Sequence, residues 1–264
     1  MNVMRVRKRK PPLGQHFLVS EPVICRIIDA IGPKFDDTMV EIGPGHGVLT
    51  ERLGEKVGKL HAIELDSRLA ARLRKRLSGR NVAIHHADAL QFDYSSVVGD
   101  GGKMRLVGNL PYAISTELIL LFRSKLGFIE DLCFMVQKEV AQRLTAASGN
   151  KQYGRLTVSV ARHLHAEVLF DVAPDAFSPP PDVQSSVIHM RPKGTAQTDH
   201  YLSDRFDELV RIAFSKRRKT LRNSLAGRIT DESFERVNID SGLRAEDLSV
   251  EQFEQLAHQL RVQS

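Results

Sequence analysis

The chain has 264 residues and a formal net charge of +6 at pH 7, a length that allows one large domain and a small appendage. No apolar run is long enough to span a membrane, and the N-terminal residues lack the apolar core of a signal peptide. Cys25 and Cys133 are isolated, and no Cys/His spacing suits zinc, so we expect a cytoplasmic protein without a metal site.

Strands and helices alternate over the first two thirds of the chain. Apolar runs predict seven strands, at residues 38–42, 60–63, 82–86, 104–107, 132–136, 166–172 and 185–190. Helical patterns predict helices at residues 21–32, from residue 48, and at 68–77, 116–126 and 138–147. This alternation is typical of an α/β fold with a mostly parallel sheet.

The last third of the chain has only helical patterns. Residues 193–198 lack apolar side chains and are interpreted as a linker. Helices are predicted after it, at residues 201–214, 217–225, 231–237 and 249–260. We therefore expect a basic tail at 1–10, an α/β domain at 11–192, the linker, and a small all-α C-terminal domain at 199–264.

A glycine-rich turn follows the first predicted strand. Gly43, Gly45 and Gly47 lie in a Gly-x-Gly-x-Gly arrangement between that strand and a helix. Glycines there let the backbone approach a ligand, and the helix start offers unpaired N–H groups. The spacing differs from the Gly-x-Gly-x-x-Gly of dinucleotide-binding proteins, and a turn without any ligand is the plainer interpretation.

Polar side chains end the next three predicted strands. Glu64 is placed to accept hydrogen bonds from ribose hydroxyls, Asp88 from the exocyclic amine of an adenine, and Asn109 follows at the fourth strand. Open α/β sheets bind ligands outside the carboxyl ends of their strands, so these residues predict a nucleotide site.

Asn109 begins the tetrapeptide Asn109-Leu110-Pro111-Tyr112. Its amide oxygen, a free backbone carbonyl in a rigid turn and a flat ring would suit an exocyclic amine on a planar base. Asn-x-Pro is also ordinary turn chemistry, so the tetrapeptide alone leaves both interpretations open.

Five motifs follow one another along the chain: PLGQHFL at 12–18, EIGPGHG at 41–47, IELD at 63–66, GNLPY at 108–112 and FSPPPDVQS at 177–185. Together and in this order they resemble the motifs of the rRNA adenine N6-dimethyltransferases. The resemblance is strongest to the bacterial enzymes that act on small-subunit (16S) rRNA, the loss of which gives kasugamycin resistance. The resemblance covers about residues 11 to 264.

The resemblance implies a class I (Rossmann-like) methyltransferase with a seven-stranded, mostly parallel sheet and a small all-α C-terminal domain. It implies S-adenosyl-L-methionine as cofactor and 16S rRNA in the small (30S) ribosomal subunit, or its precursor, as partner. The reaction would dimethylate N6 of two adjacent adenosines in the loop of the 3'-terminal hairpin. A monomer is expected.

Site residues are carried over position by position. The catalytic set is Asn109, Leu110, Pro111, Tyr112 and Phe177, and the cofactor set is His16, Leu18, Gly43, Gly45, Glu64, Asp88 and Asn109. Tyr112 and Phe177 would stack on the two faces of the target base, with Phe177 at the edge of a proline-stiffened loop and not in the core. Position 16 is His where many relatives have Asn, which leaves open a side-chain or a backbone contact there.

Two basic clusters predict contact with RNA phosphates. One is the N-terminal tail. The other comprises Lys216, Arg217, Arg218, Lys219 and Arg222, which would form a stripe on the helix predicted at 217–225. A solvated face is the alternative for both clusters.

Three other functions remain open from the sequence alone. They are a nicotinamide-dependent oxidoreductase on the same type of sheet, a non-catalytic RNA-binding or ribosome assembly factor, and a large-subunit rRNA methyltransferase of the macrolide-resistance type.

Overall fold

The computed structural model describes residues 15–99, 101–194, 200–216 and 218–260. The predicted basic tail, Arg217 and part of the predicted linker lie outside these residues. Within them, no helix is both long and apolar enough to cross a membrane.

Nine strands are present in the described part of the chain. They are β1 (Phe17–Leu18), β2 (Thr38–Ile42), β3 (Lys59–Glu64), β4 (Val82–His86), β5 (Met104–Asn109), β6 (Ile129–Gln137), β7 (Leu164–Val172), β8 (Phe177–Ser178) and β9 (Ser185–Pro192). Seven form one sheet in the order β4-β3-β2-β5-β6-β9-β7. The first five strands in this order are parallel to one another, and β9 is antiparallel to both its neighbours, β6 and β7. The predicted seven-stranded, mostly parallel sheet is confirmed. The two-residue strands β1 and β8 pair separately, and their shortness hides them from sequence patterns.

Ten α-helices accompany these strands in the described ranges. They are α1 (Glu21–Ile31), α2 (Val48–Gly54), α3 (Ser67–Arg76), α4 (Ser115–Arg123), α5 (Lys138–Leu144), α6 (Arg155–Ala161), α7 (His200–Ala213), α8 (Leu221–Ser224), α9 (Asp231–Arg236) and α10 (Val250–Ala257). The sequence did not predict α6, because residues 156–160 are all buried and so show no helical alternation of apolar and polar side chains.

The helix predicted at 217–225 is wrong over its first half. Only Leu221–Ser224 is α-helical. Thr220 is extended, with φ −67° and ψ 162°, and forms a β-bridge with Arg244. The Lys219 N–H donates to the Lys216 carbonyl at 2.8 Å and closes a turn. These contacts set the backbone before the helix starts.

Apolar side chains pack on both faces of the sheet. Successive residues of a strand point to opposite faces, so Val40 and Leu106 belong to one cluster while Met39 and Val107 belong to the other. The sheet is thus a central layer between two apolar layers.

The C-terminal helices pack around a third apolar cluster. Phe206 and Phe253 lie in it, together with Tyr153 and Val158 from the region of α6. The Tyr153 hydroxyl donates to the Leu248 carbonyl at 2.8 Å. These helices therefore pack on the α/β part through α6, and the division at residues 193–198 stays a prediction.

A buried ionic network lies where β5 begins, at the sheet edge formed by the amino ends of the parallel strands. Arg105 donates to both Asp131 oxygens at 2.8 Å and to Asp37 at 2.7 Å. His189 lies 2.9 Å from the same Asp131 carboxylate. Burial alone would raise the pKa of Asp131, but hydrogen bonds from His189 and Arg105 outweigh it and lower the pKa to about 2.

Candidate active site

A cleft of about 1250 Å³, including space open to solvent, lies at the carboxyl ends of the parallel strands. The turn after β2 and the ends of β3, β4 and β5 line it, and residues 15–18 cover it. Every predicted cofactor residue lines this cleft, and so do Asn109, Leu110, Pro111 and Tyr112. The cleft therefore joins residues that are far apart in the sequence.

The glycine turn has a backbone that other residues rarely adopt. Gly43, Gly45 and Gly47 have φ of 66°, 55° and 80°. A Cβ on Gly45 would lie 3.0 Å from the Phe17 ring. The turn therefore lies close against β1, with its backbone open to the cleft.

Glu64 is held by two backbone donors at the end of β3. Its side chain is buried, Oε2 accepts the Gly45 N–H at 3.0 Å, and Oε1 accepts the Asp66 N–H at 2.9 Å. Each carboxylate oxygen can accept a further hydrogen bond. This geometry fits a ligand with neighbouring hydroxyls.

Asp88 has a similar place at the end of β4. Its Oδ1 accepts the Leu90 N–H at 2.9 Å, which stabilises the turn. Its Oδ2 receives only a long bond, 3.4 Å, from the Gln91 amide. Oδ2 can therefore accept a hydrogen bond from a ligand amine.

Glu41 is a cleft residue that the sequence analysis missed. It lies within β2, is 2% exposed, and lines the cleft with one oxygen, Oε2, unpartnered among the described residues. Burial, reinforced by repulsion from Glu64, raises the pKa of Glu41 to about 7. An acidic residue inside an apolar strand was the available signal, since carboxylates are rarely buried without a reason.

The raised pKa predicts a pH dependence of stability. The folded protein binds the Glu41 proton more tightly than the unfolded chain, so this stabilisation is complete below about pH 4.5 and is lost as pH rises towards 7. Between about pH 4.5 and pH 7, we expect the free energy of unfolding of the cofactor-free wild type to fall relative to that of the Glu41→Gln variant, which has no carboxyl group to titrate at this position. Urea denaturation of both proteins measures the difference, and parallel pH profiles would contradict the prediction.

The Asn109 side chain has a defined orientation. Its Nδ2 donates to the His16 carbonyl at 3.1 Å. A carbonyl oxygen only accepts hydrogen bonds, so this contact assigns the amide nitrogen and turns Oδ1 away from His16. No described residue donates to Oδ1, which is therefore available as an acceptor.

The backbone around Asn109 needs a glycine before it. A Cβ on Gly108 would lie 2.4 Å from the Ile42 carbonyl oxygen. This close approach of β5 to β2 places Asn109 beside the glycine turn. The next residue is anchored because the Leu110 N–H donates to the Met135 carbonyl at 3.1 Å. No described N–H group bonds the Leu110 carbonyl, so a second acceptor is available next to Asn109 Oδ1.

Tyr112 is held from two sides. Its hydroxyl lies 2.6 Å from Ser185 Oγ, and its ring centroid is 5.8 Å from that of His16, with the planes 27° apart. His16 Nδ1 in turn contacts the Pro179 carbonyl at 2.8 Å. The segment 179–185 is thereby joined to the Asn109–Tyr112 segment and to His16. Burial raises the pKa of Tyr112, which keeps its phenol protonated.

The structure does not bring Phe177 to the cleft wall. Its side chain is 3% exposed and lies in the same apolar cluster as Leu18 and Ala176. The prediction of a loop edge in place of a core position was wrong, because Phe177 lies in β8, which pairs with β1, and its side chain packs in the core. In this conformation Phe177 offers no face to a base, and its stacking role stays a prediction.

The second basic cluster lies outside the cleft lining. Lys216, Arg218, Lys219 and Arg222 are exposed, and Arg222 Nε forms an ion pair with Asp231 at 3.1 Å. The predicted single helical stripe is wrong, because the chain from Arg218 to Thr220 is not helical.

In the described part of the chain, no group of three or more His, Cys, Asp or Glu side chains is placed to hold a metal ion.

The model of the family described as "Ribosomal RNA adenine dimethylase" matches residues 6–261. The chain belongs to this family. The nicotinamide-dependent oxidoreductase is accordingly not supported.

Individual dimethylase relatives are similar over nearly the whole chain. "Ribosomal RNA small subunit methyltransferase A" of Dechloromonas aromatica (strain RCB) is 42% identical, covering 96% of this chain and 97% of the relative. The protein with the same name from Thiobacillus denitrificans (strain ATCC 25259 / T1) is 44% identical, covering 94% and 95%.

Solved structures show the same architecture. A dimethyladenosine transferase from Plasmodium falciparum has a TM-score of 0.79 at 27% identity, covering 91% of this chain and 96% of that one. The 23S rRNA methyltransferase ErmE has a TM-score of 0.72 at 26% identity, covering 92% and 99%.

Proposed function

We propose that the protein transfers methyl groups from S-adenosyl-L-methionine to N6 of two adjacent adenosines in 16S rRNA. The adenosines would lie in the loop of the 3'-terminal hairpin of the small ribosomal subunit, and each would be dimethylated during subunit biogenesis. The family and the small-subunit names of the relatives support this substrate. The observation that carries the chemistry is the orientation of Asn109, whose Oδ1 and the adjacent Leu110 carbonyl offer two acceptors.

The cleft suits the proposed cofactor. Glu41, Glu64 and Asp88 place three carboxyl groups at one sheet edge, which favours a ligand with a sulfonium and an ammonium group. Glu64 would accept the ribose hydroxyls, Asp88 the adenine amine, and the Gly43–Gly45 backbone would pass close to the ligand. His16 and Leu18 would close the cleft from β1. When bound, S-adenosyl-L-methionine supplies a methyl group already activated by its sulfonium.

Positioning of the target amine is the main task of the protein. The lone pair of adenine N6 is delocalised into the ring, so the amine is a poor nucleophile. Asn109 Oδ1 and the Leu110 carbonyl would accept its two N–H bonds, which favours a pyramidal nitrogen and directs its lone pair. No strong base is needed, because a methylated ammonium loses a proton readily. Tyr112, held by Ser185, would stack on the base.

The RNA must present an unstacked base to this cleft, which favours a loop over a duplex. We propose that the cluster of Lys216, Arg217, Arg218, Lys219 and Arg222, of which the four described members are exposed, contacts rRNA phosphates as a group rather than as a helical stripe. A cytoplasmic monomer acting on the subunit or its precursor is part of the proposal.

Methyl transfer to isolated subunits tests the proposal. Small subunits from a strain that lacks this modification would be incubated with the protein and tritiated S-adenosyl-L-methionine, and the modified bases would be mapped. We expect two adjacent dimethylated adenosines in the 3'-terminal hairpin loop. Label in 23S rRNA would favour the macrolide-resistance type, and binding without methylation would favour a non-catalytic assembly factor.

Loss of the Glu64 carboxylate should weaken cofactor binding. We expect Glu64→Ala to reduce S-adenosyl-L-methionine affinity by roughly 1.5–3 kcal/mol, the scale of a lost hydrogen bond to a charged group. Isothermal calorimetry measures the affinity. Glu55→Ala is the matched control, because it removes an exposed carboxylate that lies 3.7 Å from Arg80 and outside the cleft. Equal affinities of the two variants would remove Glu64 from the cofactor site.

A further inference from the structure

Helix α3 carries an unusual concentration of positive charge. Among its ten residues, Arg68, Arg72, Arg74, Lys75 and Arg76 are basic and none is acidic. Arg68 lies in the first turn, where the helix dipole disfavours a cation, and like charges four residues apart repel. Arg74, Lys75 and Arg76 lie in the last turn, where the dipole favours cations, so helix stability accounts for part of this charge but not for Arg68 and Arg72.

The fold uses only part of this charge. Arg76 forms an ion pair with Glu51 at 2.7 Å and donates to the His46 carbonyl, while Arg74 Nε donates to the Ile84 carbonyl at 3.1 Å. Arg68, Arg72 and Lys75 are exposed and have no ion pair or side-chain hydrogen bond among the described residues.

These three residues share one face of the helix. Their spacing of i, i+4 and i+7 aligns them, and we name them the α3 stripe. At 1.5 Å per residue the stripe is about 10 Å long. Along the axis of a duplex, one strand has a phosphate about every 3.4 Å, so the stripe is long enough to contact two to three phosphates of one strand.

The α3 stripe flanks the cleft. Helix α3 starts just after Glu64 and Leu65, which line the cleft, and Arg76 contacts the glycine turn at His46. Strand β3, which leads into α3, is two places from β5 in the sheet, or roughly 10 Å from the strand that carries Asn109. An RNA with its target base at Asn109 can therefore reach α3.

We propose that the α3 stripe is an interaction surface for the phosphate backbone of rRNA that surrounds the target loop. This rests on the proposed function, which supplies the RNA. The surface suits a polyanion better than a membrane, because both leucines of α3, Leu69 and Leu73, are buried, so the helix itself has no large exposed apolar side chain beside the stripe.

The salt dependence of binding tests the stripe. The variant Arg68→Ala/Arg72→Ala/Lys75→Ala would be compared with the wild type for binding to small ribosomal subunits that lack the modification. We expect the slope of log affinity against log salt to fall by roughly two to three units, since each phosphate contact contributes about 0.9 in a duplex. Affinity for S-adenosyl-L-methionine should not change, which also shows that the variant is folded.

The control must remove the same net charge elsewhere. Lys34→Ala/Lys56→Ala/Lys103→Ala does so with exposed lysines that do not line the cleft. We expect this control to keep most of the wild-type slope, and Arg68→Lys/Arg72→Lys to keep it as well.

Two results would contradict the proposed contact between the α3 stripe and rRNA. One is a slope in the triple alanine variant equal to that of the control. The other is an unchanged slope together with lost binding to phosphatidylserine vesicles, which would assign the surface to a membrane. Absence of methylation by the wild type is a separate result. It would contradict the proposed function, while the salt dependence of subunit binding would still show whether the α3 stripe contacts phosphates.

Discussion

Asn109→Ala is expected to reduce the rate of methyl transfer by about 100-fold or more, because one positioned acceptor in a site shielded from water contributes several kcal/mol in the transition state. The structure sharpens this expectation by turning Oδ1 away from His16 and leaving it unpartnered among the described residues. The rate should be measured under single-turnover conditions with saturating RNA and cofactor. RNA affinity should change little.

Asn81→Ala is the matched control for this prediction. Asn81 also donates its side-chain amide to a backbone carbonyl, that of Val57, and it does not line the cleft. Both variants lose a hydrogen bond of the same kind, with a similar cost in stability of about 1 kcal/mol. If Asn109 only forms a turn, the two variants will have the same turnover, and the catalytic role is then refuted.

Arg105→Ala should lower the free energy of unfolding by about 3–5 kcal/mol, because it leaves buried carboxylates without their cation. Arg105 contacts Asp37 and Asp131, and all three side chains are at least 85% buried. Urea denaturation at neutral pH measures the change.

Lys103→Ala supplies the comparison for the buried network. Lys103 lies two residues earlier and forms only an exposed pair with Glu130 at 3.9 Å. Exposed pairs contribute at most about 1 kcal/mol. Similar losses in the two variants would show that Arg105 contributes no more than a surface ion pair.

The sheet was predictable because its strands are apolar runs of ordinary length separated by clear turns. The ends of those strands were predictable for the same reason, and Glu64, Asp88 and Asn109 do meet at one edge. Pairing between very short strands, in contrast, leaves no recognisable pattern in the sequence. Strands of two residues have no period, so neither the β1–β8 pair nor the burial of Phe177 could be read from the sequence.

Other misses have equally local causes. Glu41 was missed although an acidic residue inside an apolar strand is a signal, because the strand pattern alone does not show that this residue lines the cleft. The basic segment at 216–222 has helix-forming residues, but the bridge between Thr220 and Arg244 overrides that propensity.

The contact between His16 and Pro179 joins residues 163 positions apart. Such a contact closes a long loop and forms only when both ends of the chain segment are in place. A chain folded only as far as α5 already contains Glu64 and Asn109, yet it lacks Pro179 and Ser185, which hold His16 and Tyr112. The contacts that hold His16 and Tyr112 in place therefore form only after the chain has been made as far as Ser185, so a shorter chain emerging from a ribosome has the proposed catalytic tetrapeptide without this support.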